Sequence, residues 1–142
     1  MAEPVSLEYE IEGNNFMLAG AASNNIKRTL KMLGVASGIC RRVAIITYEG
    51  EINLVIHAGG GQLKAVIYED RVELEIADQG PGIPDISKAM TEGWSTASEQ
   101  AREMGFGAGM GLPNMKRNSD TFDIQSEVGK GTTVRSTVYF NK

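Results

Sequence analysis

The sequence has little that would tie it to an oxidising compartment, a membrane or a nucleic acid. Cys40 is its only cysteine, so no internal disulfide can form, and a reducing cytoplasm fits this composition best. No apolar run approaches the roughly 20 residues of a membrane span, and residues 1–4 lack a signal-peptide pattern. The formal net charge of −4 argues against a general nucleic-acid binder, which normally carries a basic excess.

The sequence also contains no Gly-Lys-Ser or Gly-Lys-Thr, which excludes a P-loop. Glycine itself is abundant. Its 17 copies among 142 residues are well above the usual share of about 7%. They cluster at 59–61, at 80 and 82, within 105–111, and at 129 and 131. Clustered glycines indicate places where the backbone turns sharply or approaches another group closely.

The length fits one domain with a buried core. Apolar alternation with a period of two predicts strands over 7–11, 63–67, 72–76, 121–127 and 132–140. Apolar spacings of three and four predict a helix over 18–33, capped by Asn14 or Asn15 and ended by Gly34. Shorter helices are predicted over 85–92 and 112–119. This order predicts an α+β two-layer sandwich in which helices cover one face of a mixed or antiparallel sheet.

Residues 38–58 are rich in β-branched side chains and include Gly50, which weakens a helix by roughly 1 kcal/mol relative to Ala. Propensity alone leaves this segment open, but about 20 residues without a turn signal are too long for a common strand. In a helix, Glu49, Asn53 and His57 share one face. A carboxylate and an amide one turn apart can hold Mg²⁺ or position a hydroxyl for attack on a phosphate. The alternative is a solvated polar face.

Asp78 follows a predicted strand and begins the sequence Asp-Gln-Gly-Pro-Gly. An ionised aspartate only accepts hydrogen bonds, so it could select adenine, which offers an amino donor where guanine offers an oxygen. Turns also use these residue types, so the motif alone is weak. The glycine-rich loop 105–111 precedes a predicted helix, where free backbone N–H groups and the positive helix end attract phosphate.

Taken together and in order, these motifs resemble the GHKL ATP-binding superfamily (the Bergerat fold), which includes Hsp90, gyrase, MutL and histidine kinases. The similarity covers about residues 5–140. Within this superfamily, residues 78–86, Gly93-Trp94-Ser95-Thr96 and the closing hairpin are most similar to the RsbT/RsbW/SpoIIAB group, and to RsbT in particular. That group contains bacterial anti-sigma factors and serine kinases.

The resemblance implies roles for individual residues. Glu49 would be the general base or orient the attacking hydroxyl, and Asn53 would hold Mg²⁺ against the triphosphate. Asp78 would accept from the adenine amino group, with Thr132 helping through a water. Residues 85–104 would form a lid. Further ATP contacts are implied for Gly80, Gly82, Ile83, Ser95, Thr96, Gly105, Gly107, Gly109, Gly111 and Leu112.

The implied function is that of a cytoplasmic serine/threonine protein kinase that uses ATP and Mg²⁺. It would transfer the γ-phosphate to a hydroxyl of a STAS-domain antagonist protein in a partner-switching pathway. The resemblance leaves open a nucleotide-dependent binding switch, either an anti-sigma factor or a phosphatase activator. It also leaves open a sigma factor or a PP2C-type phosphatase as partner, and a homodimer. No nucleic-acid or membrane partner is expected.

Overall fold

The computed structural model describes residues 3–13, 19–56, 58–83, 86, 90 and 111–140. Within these ranges the strands are β1 (Val5–Glu12), β2 (Gly60–Ile67), β3 (Arg71–Ala77), β4 (Thr121–Glu127) and β5 (Gly131–Tyr139). The helices are α1 (Ala21–Met32), α2 (Ser37–Ile56) and α3 (Gly111–Arg117).

The five strands form one antiparallel sheet in the order β1-β2-β3-β5-β4. Two tight hairpins, β2–β3 and β4–β5, are joined by the pairing of β3 with β5. In that pairing Ala77 lies opposite Thr133. The end of β3 and the start of β5 therefore meet at the same end of the sheet, next to the end of β4.

The core lies between one face of the sheet and the helices. Inward positions of β3 are buried and apolar, as the alternation predicts, and α2 packs its own apolar residues against them. The opposite face carries charged pairs such as Glu75 with Arg135. The cluster of buried residues includes Val43, Ile46, Leu54, Leu63, Val72, Leu74, Ile76, Met115, Val134 and Val138.

Most sequence predictions for the fold are confirmed. Residues 38–58 are helical as α2, both hairpins form, α3 occupies the start of the 112–119 segment, and the sheet is antiparallel. The predicted cap of the first helix is wrong. That helix begins at Ala21 after Gly20, which provides no side-chain cap. The helix predicted over 85–92 lies almost entirely outside the described residues, and the single domain stays a prediction.

A carboxylate from α2 replaces the predicted cap. The backbone N–H groups of Ala22 and Ser23 donate to Glu51 at 3.3 and 3.0 Å. Glu51 is only 2% exposed. A negative charge at a helix N-terminus satisfies free donors and interacts favourably with the helix dipole. Glu51 thereby fixes the start of α1 against the second half of α2.

Gly50 lets α2 approach the sheet closely. A Cβ atom at this buried position would lie 2.9 Å from Cγ1 and 3.0 Å from Cδ1 of Ile76 on β3. Gly50 therefore lowers the helix propensity of α2 but allows α2 to pack closely over β3. This contact sets the height of Glu49 and Asn53 above the end of the sheet.

Candidate nucleotide site

One part of the site forms where α2 meets the start of α3. A Cβ atom on Gly111 would lie 3.1 Å from Oε2 of Glu49 and 3.3 Å from Oδ1 of Asn53. Both side chains come from one face of α2, one turn apart, as the sequence predicts. The structure thus brings together three of the predicted site residues, with bare backbone facing a carboxylate and an amide oxygen.

The Glu49 carboxylate is half-buried, and among the described residues it has no hydrogen-bond or ion-pair partner. Burial raises the pKa of Glu49 above its ordinary value, because the charged form loses solvation that no partner replaces. A carboxylate with a raised pKa is a better proton acceptor than an exposed one. That property suits a general base.

Asn53 is oriented by a methionine of α3. Its Nδ2 lies 4.0 Å from Sδ of Met115, and its Oδ1 is the atom nearer to Gly111. Met115 itself is completely buried. This contact leaves Oδ1 as an acceptor that can serve a cation.

The second part of the site lies at the end of β3. Oδ1 of Asp78 accepts hydrogen bonds from the backbone N–H groups of Gly80 at 2.9 Å and Thr132 at 3.2 Å. The Asp78 N–H in turn donates to the Thr132 carbonyl at 2.9 Å. Within the described ranges no group donates to Oδ2. One carboxylate oxygen is therefore fixed by the fold, and the other is free to accept from a ligand.

A serine that the sequence analysis missed completes this end of the sheet. Oγ of Ser126 accepts from the Ile83 N–H at 2.7 Å, donates to the Gly131 carbonyl at 3.2 Å and lies 2.7 Å from Oγ1 of Thr132. Ser126 has a single hydroxyl proton. When Ser126 donates this proton to the Gly131 carbonyl, the Thr132 hydroxyl donates its own proton to Ser126. Oγ1 of Thr132 can then only accept hydrogen bonds from other groups. The available signal was a polar residue at an inward position of β4, after Phe122 and Ile124.

Comparison with known proteins identifies this arrangement. Residues 41–142 match the family described as histidine kinase-, DNA gyrase B- and HSP90-like ATPases. The chain belongs to this family. The match contains both parts of the site, from Glu49 on α2 to Thr132 on β5, and it begins within α2.

The individual relatives carry two kinds of name, a serine/threonine-protein kinase and anti-sigma F factors. The chain is 34% identical over 114 residues to the serine/threonine-protein kinase RsbT of Bacillus subtilis, covering 78% of this chain and 80% of the relative. It is 35% identical over 99 residues to an anti-sigma F factor of Caldanaerobacter subterraneus subsp. tengcongensis, covering 66% of each. An anti-sigma F factor of Thermoanaerobacter sp. is 37% identical over 92 residues, with 65% of this chain and 57% of the relative covered.

In this member of the ATPase family, glycines pack closely against the neighbouring main chain around Asp78. Gly82 has φ 78° and Gly131 has φ 128°. A Cβ atom on Gly82 would overlap the Glu127 backbone, and one on Gly131 would overlap the Asp78 backbone. The N–H of Gly129 also donates to the Pro81 carbonyl at 2.8 Å. These glycines hold the β4–β5 hairpin against the Asp78 turn, and the ATP contact predicted for Gly82 stays a prediction.

The remaining predicted residues fall into two classes. Ile83 is half-buried against the core and donates its N–H to Ser126, and Leu112 is a core residue with 9% exposure. The ATP contacts predicted for both stay predictions. Five predicted ATP contacts and His57 lie outside the described residues. The five are Ser95, Thr96, Gly105, Gly107 and Gly109. Most of the predicted lid 85–104 also lies outside.

The oxygen atoms of this site fit Mg²⁺ only as an ion that ligand phosphates also bind. The described residues contain no cluster of three or more His, Cys, Asp or Glu side chains that could hold a metal. Mg²⁺ typically binds one or two protein oxygens together with substrate phosphates and water. Asn53 Oδ1, with Glu49 beside it, meets that requirement.

In the part of the chain that is described, no helix is long and apolar enough to cross a membrane.

Proposed function

We propose that this chain is an ATP-dependent serine/threonine protein kinase of the RsbT type, acting on a hydroxyl of a STAS-domain antagonist protein. The observation that carries the proposal is the half-buried Glu49 carboxylate, which has no partner among the described residues and lies beside Asn53 and the bare backbone of Gly111. The naming of the Bacillus subtilis relative as a kinase supports it. We place the activity in the cytoplasm, where ATP is available.

The proposed reaction gives each part of the site a task. The acceptor hydroxyl oxygen forms a bond to the γ-phosphorus while the bond from that phosphorus to the β–γ bridging oxygen breaks, and ADP leaves. Glu49 takes the hydroxyl proton. Asn53 would hold Mg²⁺, which when bound neutralises phosphate charge. Phosphoryl transfer needs little beyond this positioning and charge stabilisation. Asp78 would orient the nucleotide through its free Oδ2.

The test is phosphate transfer from γ-labelled ATP to a STAS-domain protein of the same organism. Glu49→Gln keeps the shape of the side chain but removes the proton acceptor, so we expect the transfer rate to fall by about 10²–10⁴-fold. Binding of ATP, measured by calorimetry, should change little. The exposed Glu8→Gln serves as the matched control. Transfer that Glu49→Gln leaves unchanged would remove Glu49 from the reaction.

The anti-sigma F factors among the relatives favour a second candidate, a nucleotide-dependent binding switch with little or no kinase activity. A switch requires that nucleotide exchange alters partner affinity. Glu49→Gln should then leave capture of a sigma factor or PP2C-type phosphatase intact, and replacement of ATP by ADP should change it. No phosphate transfer to any STAS-domain protein, with nucleotide-dependent capture of one of these partners, would favour the switch over the kinase.

Asp78→Asn tests the base assignment without removing the structural hydrogen bonds. The substitution keeps Oδ1, which accepts from Gly80 and Thr132, and turns the free Oδ2 into an N–H₂ donor facing the ligand. A site that hydrogen-bonds one group of its ligand can bind a ligand with a mismatched group up to roughly 10⁴-fold more weakly. We therefore expect a loss of ATP affinity on that scale, measured by calorimetry, with a smaller loss or a gain for GTP.

The fold of this variant should remain intact, so its melting temperature should stay close to that of the unsubstituted chain. Asp78→Ala is the contrasting variant, because it also removes the acceptor of two backbone N–H groups. Unchanged ATP affinity in a folded Asp78→Asn protein would reject the adenine assignment.

A further inference from the structure

The charges of this chain are divided unevenly along it. Between Glu12 and Glu49 there are 36 residues with no Asp or Glu, and these carry Lys27, Arg28, Lys31, Arg41 and Arg42. The rest of the chain holds nine cations and all eighteen acidic residues. A basic segment built from α1 and the first half of α2 thus sits on an otherwise acidic protein.

Three of these cations form one exposed patch on α1. Lys31 lies four residues after Lys27 and three after Arg28, so it neighbours both on the helix surface, and all three side chains are exposed. In the described part of the chain none of them has a hydrogen bond or an ion pair. Arg42 differs, because it donates to Asp120 at 3.1 Å and to the Asn118 carbonyl at 3.0 Å.

Two large exposed apolar side chains follow these cations at the end of α1. Met32 is 79% exposed and Leu33 is 52% exposed, directly after Lys31 at the end of α1. Lys27, Arg28, Lys31, Met32 and Leu33 are together called the α1 surface. Exposed apolar groups beside unpaired cations combine the two elements of a protein interface, an apolar centre and a charged rim.

We infer that the α1 surface docks an acidic, amphipathic segment of a partner protein. Such a segment would place its carboxylates on Lys27, Arg28 and Lys31 and its apolar face on Met32 and Leu33. The acidic remainder of the chain argues against DNA or an anionic membrane as the ligand. An extended polyanion would reach past the patch into repulsive charge, whereas a short segment stays within about one Debye length of it.

The α1 surface is separate from the nucleotide site. Glu49 lies twelve residues after the first residue of α2, which corresponds to about 18 Å of helix rise. The start of α1, by contrast, is fixed to the second half of α2 through Glu51. Partner docking at the far end of α1 can therefore be removed without touching Glu49, Asn53 or Asp78.

The probe is a fluorescent peptide of about 20 residues, long enough to be helical, with Glu on one face and Leu on the other. We expect it to bind the intact chain, more weakly at higher salt. The paired substitution Lys27→Glu with Arg28→Glu should weaken binding by at least about tenfold, because it opposes like charges. Met32→Ser with Leu33→Ser should also weaken it. Fluorescence anisotropy gives each affinity.

The matched control is Lys64→Glu with Lys130→Glu, which makes the same change in net charge at two exposed cations that already have ion-pair partners, one on β2 and one in the β4–β5 turn. It should leave peptide affinity within about twofold. Since the α1 cations have no partners among the described residues, their variants should stay folded, and circular dichroism verifies this. A scrambled peptide of equal composition, whose acidic and apolar faces are mixed, should bind less well.

Four results would overturn the inference. The first is a control pair that weakens peptide binding as much as the α1 substitutions do. The second is that the peptide does not bind at all. The third is that DNA or phosphatidylglycerol vesicles bind more tightly than the peptide. The fourth is self-association of the intact chain that the α1 substitutions abolish, since the occupant would then be a second copy. Sedimentation distinguishes this last outcome.

Discussion

Glu49 and Glu51 are two residues apart on α2 and have opposite environments. Glu51 is buried and accepts from two backbone N–H groups of α1, so its charge is satisfied within the fold. Glu49 is half-buried and has no partner in the described ranges. An unsatisfied charge that the fold tolerates only at a cost is typical of functional sites. The sequence shows two similar carboxylates, and only tertiary structure separates their roles.

Glu49→Gln should raise the melting temperature at neutral pH. Burial raises the folded-state pKa of Glu49, so the folded protein binds a proton more readily than the unfolded chain does. The contribution of Glu49 to stability is therefore fully present below the unfolded pKa and lost as pH rises through the folded pKa. At neutral pH the charged group destabilises the fold, and a neutral amide removes that cost.

Melting curves from mildly acidic to neutral pH measure this effect. The gain from Glu49→Gln should shrink as the pH falls below the ordinary range of a glutamate. Glu8→Gln, on the exposed face of β1, should show no comparable gain. A gain that persists unchanged at acidic pH would contradict the explanation based on charge burial.

At the scale of elements, the position of α2 depends on Gly50. Gly50→Ala would gain up to about 1 kcal/mol of helix propensity. However, the new methyl group would meet Ile76 at 2.9–3.0 Å in a packed core, where overpacking costs about 1–3 kcal/mol. We expect a net loss of roughly 1 kcal/mol in the free energy of unfolding, measured with urea.

Gly38 provides the control in the same helix. A Cβ atom there would meet nothing within 4 Å, so Gly38→Ala should be neutral or stabilising. If both substitutions stabilised the protein equally, the close approach of α2 to β3 would not explain the glycine at position 50.

Glu51→Ala should weaken the attachment of α1. The N–H groups of Ala22 and Ser23 would lose their acceptor in a buried place, which costs about 1–3 kcal/mol. Glu51→Gln keeps one acceptor oxygen and should cost less. Urea unfolding measures both. Hydrogen exchange should accelerate first at the start of α1, and loss of protection spread evenly over all helices would contradict a local capping role.

Features of the fold and of the site could be predicted from the sequence where they depend on residues close together in the chain. The spacing of Glu49 and Asn53, the strand leading to Asp78 and both hairpins follow from short-range periodicity, and the structure contains them. The cap of α1 does not, because Glu51 lies 28 and 29 residues from its donors. The role of Ser126 likewise depends on Ile83, 43 residues earlier. Residue spacing carries no information about such contacts.

At the scale of the whole molecule, one layer of helices and one sheet share a continuous buried cluster. We therefore expect the chain to unfold as one cooperative unit. The calorimetric enthalpy should be on the order of 100 kcal/mol near 60 °C and should equal the van't Hoff enthalpy. Two separate transitions, or a calorimetric enthalpy well above the van't Hoff value, would contradict the prediction of a single domain.

The close packing of glycine backbone around Asp78 has a consequence for how this site can change. Side chains can be exchanged by mutation, but walls made of the main chain at Gly82 and Gly131 cannot be reshaped without displacing the β4–β5 hairpin. Under the proposed adenine assignment, few side-chain atoms remain that evolution or a protein engineer could change to select a different base. These are the free oxygen of Asp78 and the hydroxyl pair of Thr132 and Ser126. A library for altered nucleotide choice would therefore vary these three positions first.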